Sequence, residues 1–353
     1  MRAERGSRAS RPVGEEGGAP APARVTIAQV AAAAGVAPST VSKVLNGNAD
    51  VSSATRQRVQ RLLSEHNYAR RRSAHAASAP FVDLVFQELE SPWAMEIVRG
   101  AVHAACEAGL SVSLTSLSEE GSSRSWLDQI CARGSRGVIL LLARLGQRER
   151  SELRSRGLPF AMVDPRGEPD PAVATVGATN WAGGFAATRH LVELGHRRVG
   201  VISGPLDLLC SRARMDGYRS AMEAAGLPVD PDLMQWGDFH VDGGFKVAMA
   251  MLGQHERPTA IFAGSDLQAL GVLEAARVQH LRVPVDLSLV GFDDLPLSTW
   301  TSPPLTTVRQ PLAEMAATAV RLVLAQDRDG RAEPRSVELA TTLIVRETTA
   351  ALR

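Results

Sequence analysis

The sequence predicts a multidomain protein with an all-α helix-turn-helix headpiece followed by a two-lobed α/β core. The 353 residues exceed the usual size of one domain, and 44% of them are hydrophobic and 22% charged, as in globular proteins. Residues 1–79 hold 12 basic and 5 acidic residues, a net charge of +7, whereas the remainder holds 27 basic and 33 acidic residues, a net −6. A small basic unit joined to a larger acidic one indicates a nucleic-acid-binding module attached to a domain with another task.

Composition argues against a membrane-bound or secreted protein. The longest apolar run, residues 138–143, is far too short to span a bilayer, and the N-terminus lacks the apolar stretch of a signal peptide. We therefore expect a cytoplasmic protein. Residues 1–24 show no apolar periodicity and predict a disordered leader. The scattered Cys106, Cys131 and Cys210 favour buried thiols over a disulfide framework or a zinc site.

Three short amphipathic helices are predicted within residues 25–69. In the first, Thr26 is placed to cap the helix and Gly35 to end it. Pro38 stands where a second helix begins, and a third opens at residues 51–53 and continues to about Tyr68. The expected core positions of the three helices are Ile27, Val30, Ala31, Ala34, Val41, Val44, Leu45, Val59, Leu62 and Leu63.

From residue 81 to residue 353 short β-rich runs alternate with helical stretches, which predicts parallel sheets with helices on both faces. Two such sets predict two lobes, with ligand at the carboxyl ends of the strands in the cleft between them. The predicted strands are 81–86, 112–115, 138–142, 160–163, 199–203, 260–263 and 288–292. The predicted helices are 94–108, 126–133, 148–156, 212–225, 243–252 and 266–279.

The usual enzyme signatures are missing from the sequence. It contains no Walker phosphate loop, no dinucleotide fingerprint, no GxSxG elbow and no HExxH pair, so we expect neither an enzyme nor a bound cofactor or metal. His196 is expected to cap a helix end. Asp293 and Asp294 are expected to point to opposite faces of an extended segment, so that they cannot share a substrate proton and only one of them touches a ligand.

Residues 25–68 resemble the headpiece of the lactose-repressor (LacI/GalR) family of bacterial transcriptional regulators. Further segments resemble the body of that family in the same order. They are GATNWAGG and HLVELGHRRVGVISGP within residues 177–205, SRARMDGY at 211–218, GSDLQALG at 264–271, VPVDLSLVGFDD at 283–294 and PPLTTVRQP at 303–311. The resemblance implies a DNA-binding domain at 25–69, a hinge at 70–80, and a periplasmic-binding-protein-like domain at 81–353 that binds an effector and dimerises.

The resemblance also implies which headpiece residues contact double-stranded operator DNA. Pro38, Ser39 and Lys43 match base-reading positions, and Thr40 belongs to the same helix. The positions that match phosphate contacts are Thr26, Ser42, Asn46, Ser52, Thr55 and Tyr68. For Thr26, Asn46 and Ser52, helix capping or turn formation remains an equal alternative. Ala37 replaces a usual serine, so the second helix is expected to lack a side-chain N-cap.

The predicted hinge departs from the family pattern. Arg70 and Arg71 replace a Pro-Asn pair, and Ala77 stands where the family has a leucine that wedges into the minor groove. Because alanine is too small to unstack a base step, we expect Arg70, Arg71 and Arg72 to contact the minor groove instead. Nonspecific affinity for phosphate is the open alternative for these arginines.

The effector cleft is inferred in the same way. Arg214 and Asp293 match an arginine and a carboxylate that hold ligand hydroxyl groups, and Trp93 and Phe239 match rings that pack on the ligand. Asp164 is a further candidate. With only 4% aromatic residues, Trp93, Trp181 and Phe239 are expected in loops at strand ends with functional roles. Asp266 is expected to cap its helix.

The resulting hypothesis is a homodimeric transcriptional repressor of carbohydrate-utilisation genes, released from its operator by a sugar or oligosaccharide. Within the same class, a purine-type regulator whose ligand tightens DNA binding is the alternative. A solute-binding transport protein and an enzyme of sugar or nucleoside metabolism are alternatives from other classes. The headpiece and the missing signal peptide argue against the transport protein, and a turnover assay would test for the enzyme.

Overall fold

The computed structural model describes residues 26–45, 51–65, 80–87, 91–117, 123–168, 170–326 and 335–352. The chain divides into two compact units, residues 1–78 and 79–353. None of the helices in these described ranges is long and apolar enough to cross a membrane.

The first unit contains three helices, α1 (Ile27–Ala34), α2 (Pro38–Leu45) and α3 (Ser53–Glu65). Thr26 and Gln29 form a capping box at the start of α1, and Gly35 ends the helix in the left-handed conformation at φ 65°. The three helices share one small apolar core, as expected from the periodicity. Its buried members are Val30, Ala31, Ala34, Val41, Val44 and Val59.

Two α/β lobes make up the second unit. The strands of the first lobe are β1 (Phe81–Phe86), β2 (Ser111–Ser116), β3 (Val138–Leu141), β4 (Phe160–Val163), β5 (Ala174–Ala178) and β11 (Ser336–Leu339). Its helices are α4 (Pro92–Glu107), α5 (Ser123–Arg133), α6 (Gln147–Ser155) and α11 (Leu312–Ala325). All strand pairs are parallel, in the order β11-β5-β4-β3-β1-β2.

The second lobe repeats this plan. Its strands are β6 (Val199–Ser203), β7 (Met234–Trp236), β8 (Ala260–Ala263), β9 (Ser288–Asp293), β10 (Thr306–Arg309) and β12 (Thr342–Ile344). Its helices are α7 (Asn180–Glu193), α8 (Leu209–Ala224), α9 (Val241–Leu252) and α10 (Asp266–Val278). The order is β12-β10-β9-β8-β6-β7, with only the edge strand β12 antiparallel to its neighbour.

Helices cover both faces of each sheet, as the strand and helix alternation predicts. In the first lobe, Leu84, Ile139 and Val176 pack against α4 and α11, while Val85 and Leu140 on the opposite face pack against α5 and α6. In the second lobe, one face packs against α9 and α10 and the other against α7 and α8. Both lobes are therefore three-layered, and the predicted fold class is confirmed.

The chain passes between the lobes three times within the described residues. The passages lie between β5 and α7, between β10 and α11, and between β11 and β12. Two of them are bonded to each other, because the Thr341 N–H donates to Thr179 Oγ1 at 2.9 Å and the two hydroxyl oxygens lie 3.0 Å apart. Short connecting segments of this kind allow the two lobes to move relative to each other.

The predicted strands agree with the structure to within one residue, but some expectations were wrong. The sequence did not predict strands β5, β7, β10, β11 and β12 or helices α7 and α11. Helix α4 begins at Pro92 rather than at residue 94, because the Ser91 hydroxyl caps it through the Trp93 N–H. The prediction of buried thiols holds for Cys210 only, since Cys131 is half-buried and Cys106 lies on the outward face of α4.

His196 has a different role from the helix cap expected for it. Its main-chain N–H ends α7 by donating to Leu191 O at 3.2 Å. The buried ring lies 2.9 Å from Thr259 Oγ1 on one side, and 2.9 Å from Ser288 Oγ and 3.1 Å from Ala350 O on the other. The imidazole therefore connects the beginnings of strands β8 and β9 with the C-terminal segment.

Burial lowers the pKa of His196, so the unfolded chain takes up a proton more readily than the folded one. The free energy of unfolding should therefore fall as the pH drops below about 6.5. His196→Gln should cost about 1–3 kcal/mol at pH 7.5, because buried hydroxyl partners lose the ring. It should also show a smaller loss between pH 7.5 and 5.5, measured by urea denaturation.

The matched control is His255→Gln, because His255 is exposed. This variant should keep both the stability and the pH dependence of the wild type. Burial also lowers the pKa of His190, so some pH dependence should remain in His196→Gln. An unchanged pH dependence in His196→Gln would contradict the assignment.

Candidate functional site

Helix α2 presents a polar surface on the first unit. Val41 and Val44 are buried, whereas Pro38, Ser39 and Lys43 are exposed. Thr40 and Ser42 are half-buried. The positions expected to read base edges therefore lie on the side of α2 that faces away from the apolar core.

Two of the expected phosphate contacts take part in capping. Thr26 Oγ1 accepts from the Gln29 N–H at 3.4 Å, and Ser52 Oγ accepts from the Thr55 N–H at 3.3 Å. A hydroxyl that caps a helix also lies beside unpaired N–H groups, where anions bind favourably, so capping and phosphate contact are compatible. The expectations for Asn46, Tyr68, Arg70, Arg71, Arg72 and Ala77 lie outside the described residues.

In the second unit, the predicted cleft residues gather around the buried guanidinium of Arg214. Helix α8 brings Arg214 close to α7 because Gly184 has no side chain; a Cβ there would lie 2.4 Å from Arg214 O. Arg214 Nε donates to Asn180 Oδ1 at 2.9 Å, and Nη1 donates to Gly264 O and lies 3.8 Å from Asp293 Oδ1. Only 3% of the surface of Arg214 is exposed to solvent.

Two carboxyl groups near Arg214 have raised pKa values. Burial raises the pKa of Asp293 to about 7, while the Arg214 charge and the Gln310 hydrogen bond oppose that rise. Burial likewise raises the pKa of Asp164 to about 6, again opposed by Arg214. One guanidinium does not fully compensate several desolvated carboxylates, so burial favours the protonated form of each carboxyl group.

Three of the predicted effector residues have a strained backbone conformation. Asp164, Phe239 and Asp293 have φ angles of 45°, 66° and 112°, a region that non-glycine residues seldom adopt. Asp164 follows β4, Phe239 follows β7, and Asp293 ends β9. Strained residues at strand ends that face a cleft are typical of ligand sites.

The two adjacent aspartates diverge as expected, but for another reason. The segment is not extended, because Asp294 also has a positive φ, 57°. The Asp293 carboxylate faces Arg214, whereas that of Asp294 accepts from Arg309 Nε and Arg346 Nη2, both at 2.6 Å. Asp294 therefore stabilises the β9 to β10 connection.

Asp266 does not cap α10, contrary to expectation. The cap is Ser265, whose hydroxyl accepts from the Gln268 N–H at 3.1 Å. Asp266 is fully buried one residue later, where it accepts from the Leu295 N–H at 2.7 Å and from the Thr307 hydroxyl at 2.6 Å. Burial raises its pKa well above the ordinary value, with a further contribution from Asp293.

The aromatic residues were only partly predicted. Phe239 lies in a turn, and the Arg214 guanidinium is 5.3 Å from its ring centre and 3.8 Å from that of Phe292. Trp93 and Trp181 lie in helices rather than in loops. Trp93 packs on the core of the first lobe, whereas Trp181 is 47% exposed and stacks on Phe185.

A cavity of about 330 Å³ adjoins Arg214, within the range typical of small-molecule sites. Asp164 and Glu338 supply carboxylates, and Trp181 supplies an aromatic face. Residues of both lobes line it: Asp164, Pro165, Thr175, Val176, Gly177, Ala178, Thr179, Asn180, Trp181, Ala182, Leu209, Cys210, Ala213, Ser336 and Glu338. Of the predicted effector residues, Asp164 lines the cavity, whereas Trp93, Arg214, Phe239 and Asp293 do not.

Two polar residues of the site escaped sequence reasoning. Asn180 orients Arg214, and Gln310 Nε2 donates to Asp293 Oδ1 at 2.6 Å from the passage between β10 and α11. Both stand inside segments that resemble the family, GATNWAGG and PPLTTVRQP, but no local pattern marks either residue. Their importance follows from tertiary contacts.

Comparisons with known proteins agree with this architecture. Residues 26–71 match the model for bacterial regulatory proteins of the lacI family, and residues 188–349 match a periplasmic binding protein-like domain. The HTH-type transcriptional regulator CelR of Thermobifida fusca is 35% identical, over 92% of this chain and 98% of CelR. The HTH-type transcriptional repressor CytR of Escherichia coli (strain K12) is 33% identical, over 93% of this chain and 97% of CytR.

Solved structures show the same relationship. A complex of transcriptional regulator CelR with cellobiose superposes with a TM-score of 0.71 at 34% identity, covering 92% of this chain and all of that one. The lac repressor dimer bound to operator and the anti-inducer ONPF gives a TM-score of 0.68 at 28% identity, covering 93% of this chain and all of that one. These matches confirm the expectation of a regulator rather than an enzyme. The chain belongs to the lacI family of bacterial regulatory proteins, which are transcriptional regulators with a helix-turn-helix headpiece and a periplasmic-binding-protein-like core.

Proposed function

We propose that this protein is a cytoplasmic, homodimeric repressor of carbohydrate-utilisation genes that leaves its operator when a sugar or oligosaccharide binds in the cleft. The observation that carries the proposal is the buried Arg214, which acts on Asp293 of the second lobe and on Asp164 of the first. A ligand with many hydroxyl groups can donate to both carboxylates and so bridge the lobes.

The same cluster favours a sugar over a purine. A flat heterocycle binds best between aromatic faces, but the guanidinium of Arg214 already lies over the rings of Phe239 and Phe292. The adjoining cavity offers carboxylate, hydroxyl and amide groups and the single aromatic face of Trp181. Because the related CelR structure contains cellobiose, that disaccharide is the first probe to test.

On the DNA side, we propose that the headpiece spans residues 25–69 and that residues 70–80 form a hinge. Pro38, Ser39 and Lys43 are proposed to contact base edges, since all three are exposed on α2. Thr26, Thr40, Ser42, Asn46, Ser52, Thr55 and Tyr68 are proposed to support them. Arg70, Arg71 and Arg72 are proposed to add affinity that depends on salt.

Several large apolar side chains of the second unit are exposed. Met95 and Val102 on α4 are 57% and 47% exposed, and Leu114 on the edge strand β2 is 43% exposed. Trp300 in the second lobe is 80% exposed. A second copy of this chain would cover such side chains in the proposed dimer. Two headpieces related by symmetry would read a near-palindromic operator.

Lys43→Ala should weaken binding to the cognate operator by about 1–3 kcal/mol and relax the base preference at one position in each half-site. The physical reason is the loss of a donor to a base edge. Fluorescence anisotropy against the operator and its single-base variants measures both effects.

Lys246→Ala provides the matched control, because it removes the same charge from an exposed position on α9 of the effector-binding unit. It should leave the base preference unchanged. If Lys43→Ala weakened binding equally on every sequence, Lys43 would be a phosphate contact instead.

Asp293→Asn should weaken cellobiose binding about tenfold or more, because it removes a charged acceptor of ligand hydroxyl groups. Since the pKa of Asp293 is about 7, its charged form becomes dominant as the pH rises from 6 to 8. Sugar affinity should therefore increase over that range in the wild type and stay nearly constant in Asp293→Asn. Isothermal titration calorimetry at several pH values measures both effects.

Asp294→Asn carries the same substitution one residue later, on a carboxylate that faces Arg309 and Arg346. It should retain the pH dependence of the wild type. Operator affinity without sugar should stay close to wild type in both variants. Normal sugar binding by Asp293→Asn would remove Asp293 from the site.

A further inference from the structure

Two segments, one from each lobe, meet beside the cavity. Arg166 follows β4 in the first lobe and Leu208 precedes α8 in the second, and the two residues form an isolated antiparallel bridge. Next to this bridge, the Gly167 N–H donates to Asp207 O at 2.8 Å. Leu208 is only 1% exposed. The contact is therefore a packed junction between main chains of the two lobes.

The junction continues directly into the cavity wall. Asp164 and Pro165 line the cavity and are followed by Arg166, while Leu209 and Cys210 line it and follow Leu208. Any separation of the lobes at this junction must therefore move lining residues on both sides of the cavity. The junction and the cavity cannot change independently.

Ion pairs reinforce the main-chain contacts. The Asp207 carboxylate accepts from Arg166 Nη1 at 3.2 Å and lies 3.7 Å from Arg144 Nη2, so one carboxylate of the second lobe faces two arginines of the first. Arg166 is itself held in place, because its N–H donates to Ala143 O at 3.0 Å. This bond joins the turns that follow β3 and β4.

Asp207 lies just before helix α8, yet its side chain contacts the other lobe and does not cap the helix. Aspartate just before a helix commonly caps that helix, but α8 has Leu208 as its N-cap and no side-chain cap. The carboxylate of Asp207 instead reaches the other lobe. Gly167 supports the contact with a φ of 71°, a conformation that a larger residue would adopt only with strain.

We propose that Asp207 is a positioning residue. Its contacts with Arg144 and Arg166, here called the latch, hold the two lobes together and so determine the fraction of molecules in which the cavity is fully assembled before an effector binds. The latch is tunable, because the side chains of Asp207, Arg144 and Arg166 are 40%, 66% and 29% exposed and their attraction is screened by salt. For an effector that binds only the closed lobes, the apparent dissociation constant equals the intrinsic one divided by the fraction of closed molecules. This last consequence rests on the proposed function, whereas the latch itself does not.

Hydrogen exchange of the full-length protein without sugar tests the latch directly. Asp207→Asn should increase exchange at residues 166–167 by about twofold to tenfold, because the Gly167 N–H loses protection whenever the lobes separate. In the wild type, raising NaCl from 50 to 500 mM should increase exchange there in the same way. Asp207→Asn should show little further response to salt.

Asp216→Asn is the matched control, since it makes the same substitution on α8 in an exposed pair with Arg219 of the same helix. It should exchange like the wild type at residues 166–167 and keep the salt response. Wild-type exchange in Asp207→Asn, or an equal salt response in both proteins, would overturn the latch.

Cellobiose titration then separates the latch from the proposed effector. If wild-type protein binds cellobiose, Asp207→Asn should raise the dissociation constant about twofold to tenfold, and Asp216→Asn should not. Altered exchange in Asp207→Asn together with no binding of cellobiose or other sugars to wild type would support the latch and contradict the sugar effector. Unaltered exchange together with equal cellobiose affinity would overturn the latch and leave the effector proposal standing.

Discussion

A buried cation shared by several carboxyl groups is the constraint on which the effector-binding unit depends. Arg214 is removed from water, so its charge must be compensated within the fold. Asn180, Gly264 O and Asp293 supply that compensation, and the ring of Phe292 covers one face of the guanidinium. The arrangement brings α7, α8, β8 and β9 to one point. It also places Asp164 and Asp293, which belong to different lobes, near the same guanidinium.

Two of the segments that join the lobes contact the residues around Arg214. Gln310, on the passage between β10 and α11, donates to the Asp293 carboxylate, and its N–H donates to Asp293 O at 3.2 Å. A second passage begins at Thr179, next to the Asn180 that orients Arg214. A ligand that changes the contacts of Asp293 therefore acts on a chain segment that both lobes share. This is the physical basis for coupling occupancy of the cleft to lobe closure.

Most of the strands were predictable because buried parallel strands are short, apolar and flanked by polar residues. Strand β5 escaped prediction because Thr175 and Gly177 face the cavity rather than a helix, which interrupts its apolar pattern. Helix α7 escaped because it contains Gly183 and Gly184, which local propensity disfavours but close packing against Phe292 and Arg214 requires. Asn180, Gln310 and the junction at Asp207 depend on contacts between distant segments, so no local pattern could identify them.

We propose that the ligand site and the DNA site oppose each other through the lobes, and a measurement of reciprocal affinities tests this coupling. Cellobiose affinity is measured by calorimetry on the free protein and on the protein saturated with operator, and operator affinity is measured with and without saturating cellobiose. Each ligand should weaken the binding of the other by the same factor, about 5-fold to 150-fold. Equal affinities in all four conditions, or mutual tightening of the two ligands, would contradict it.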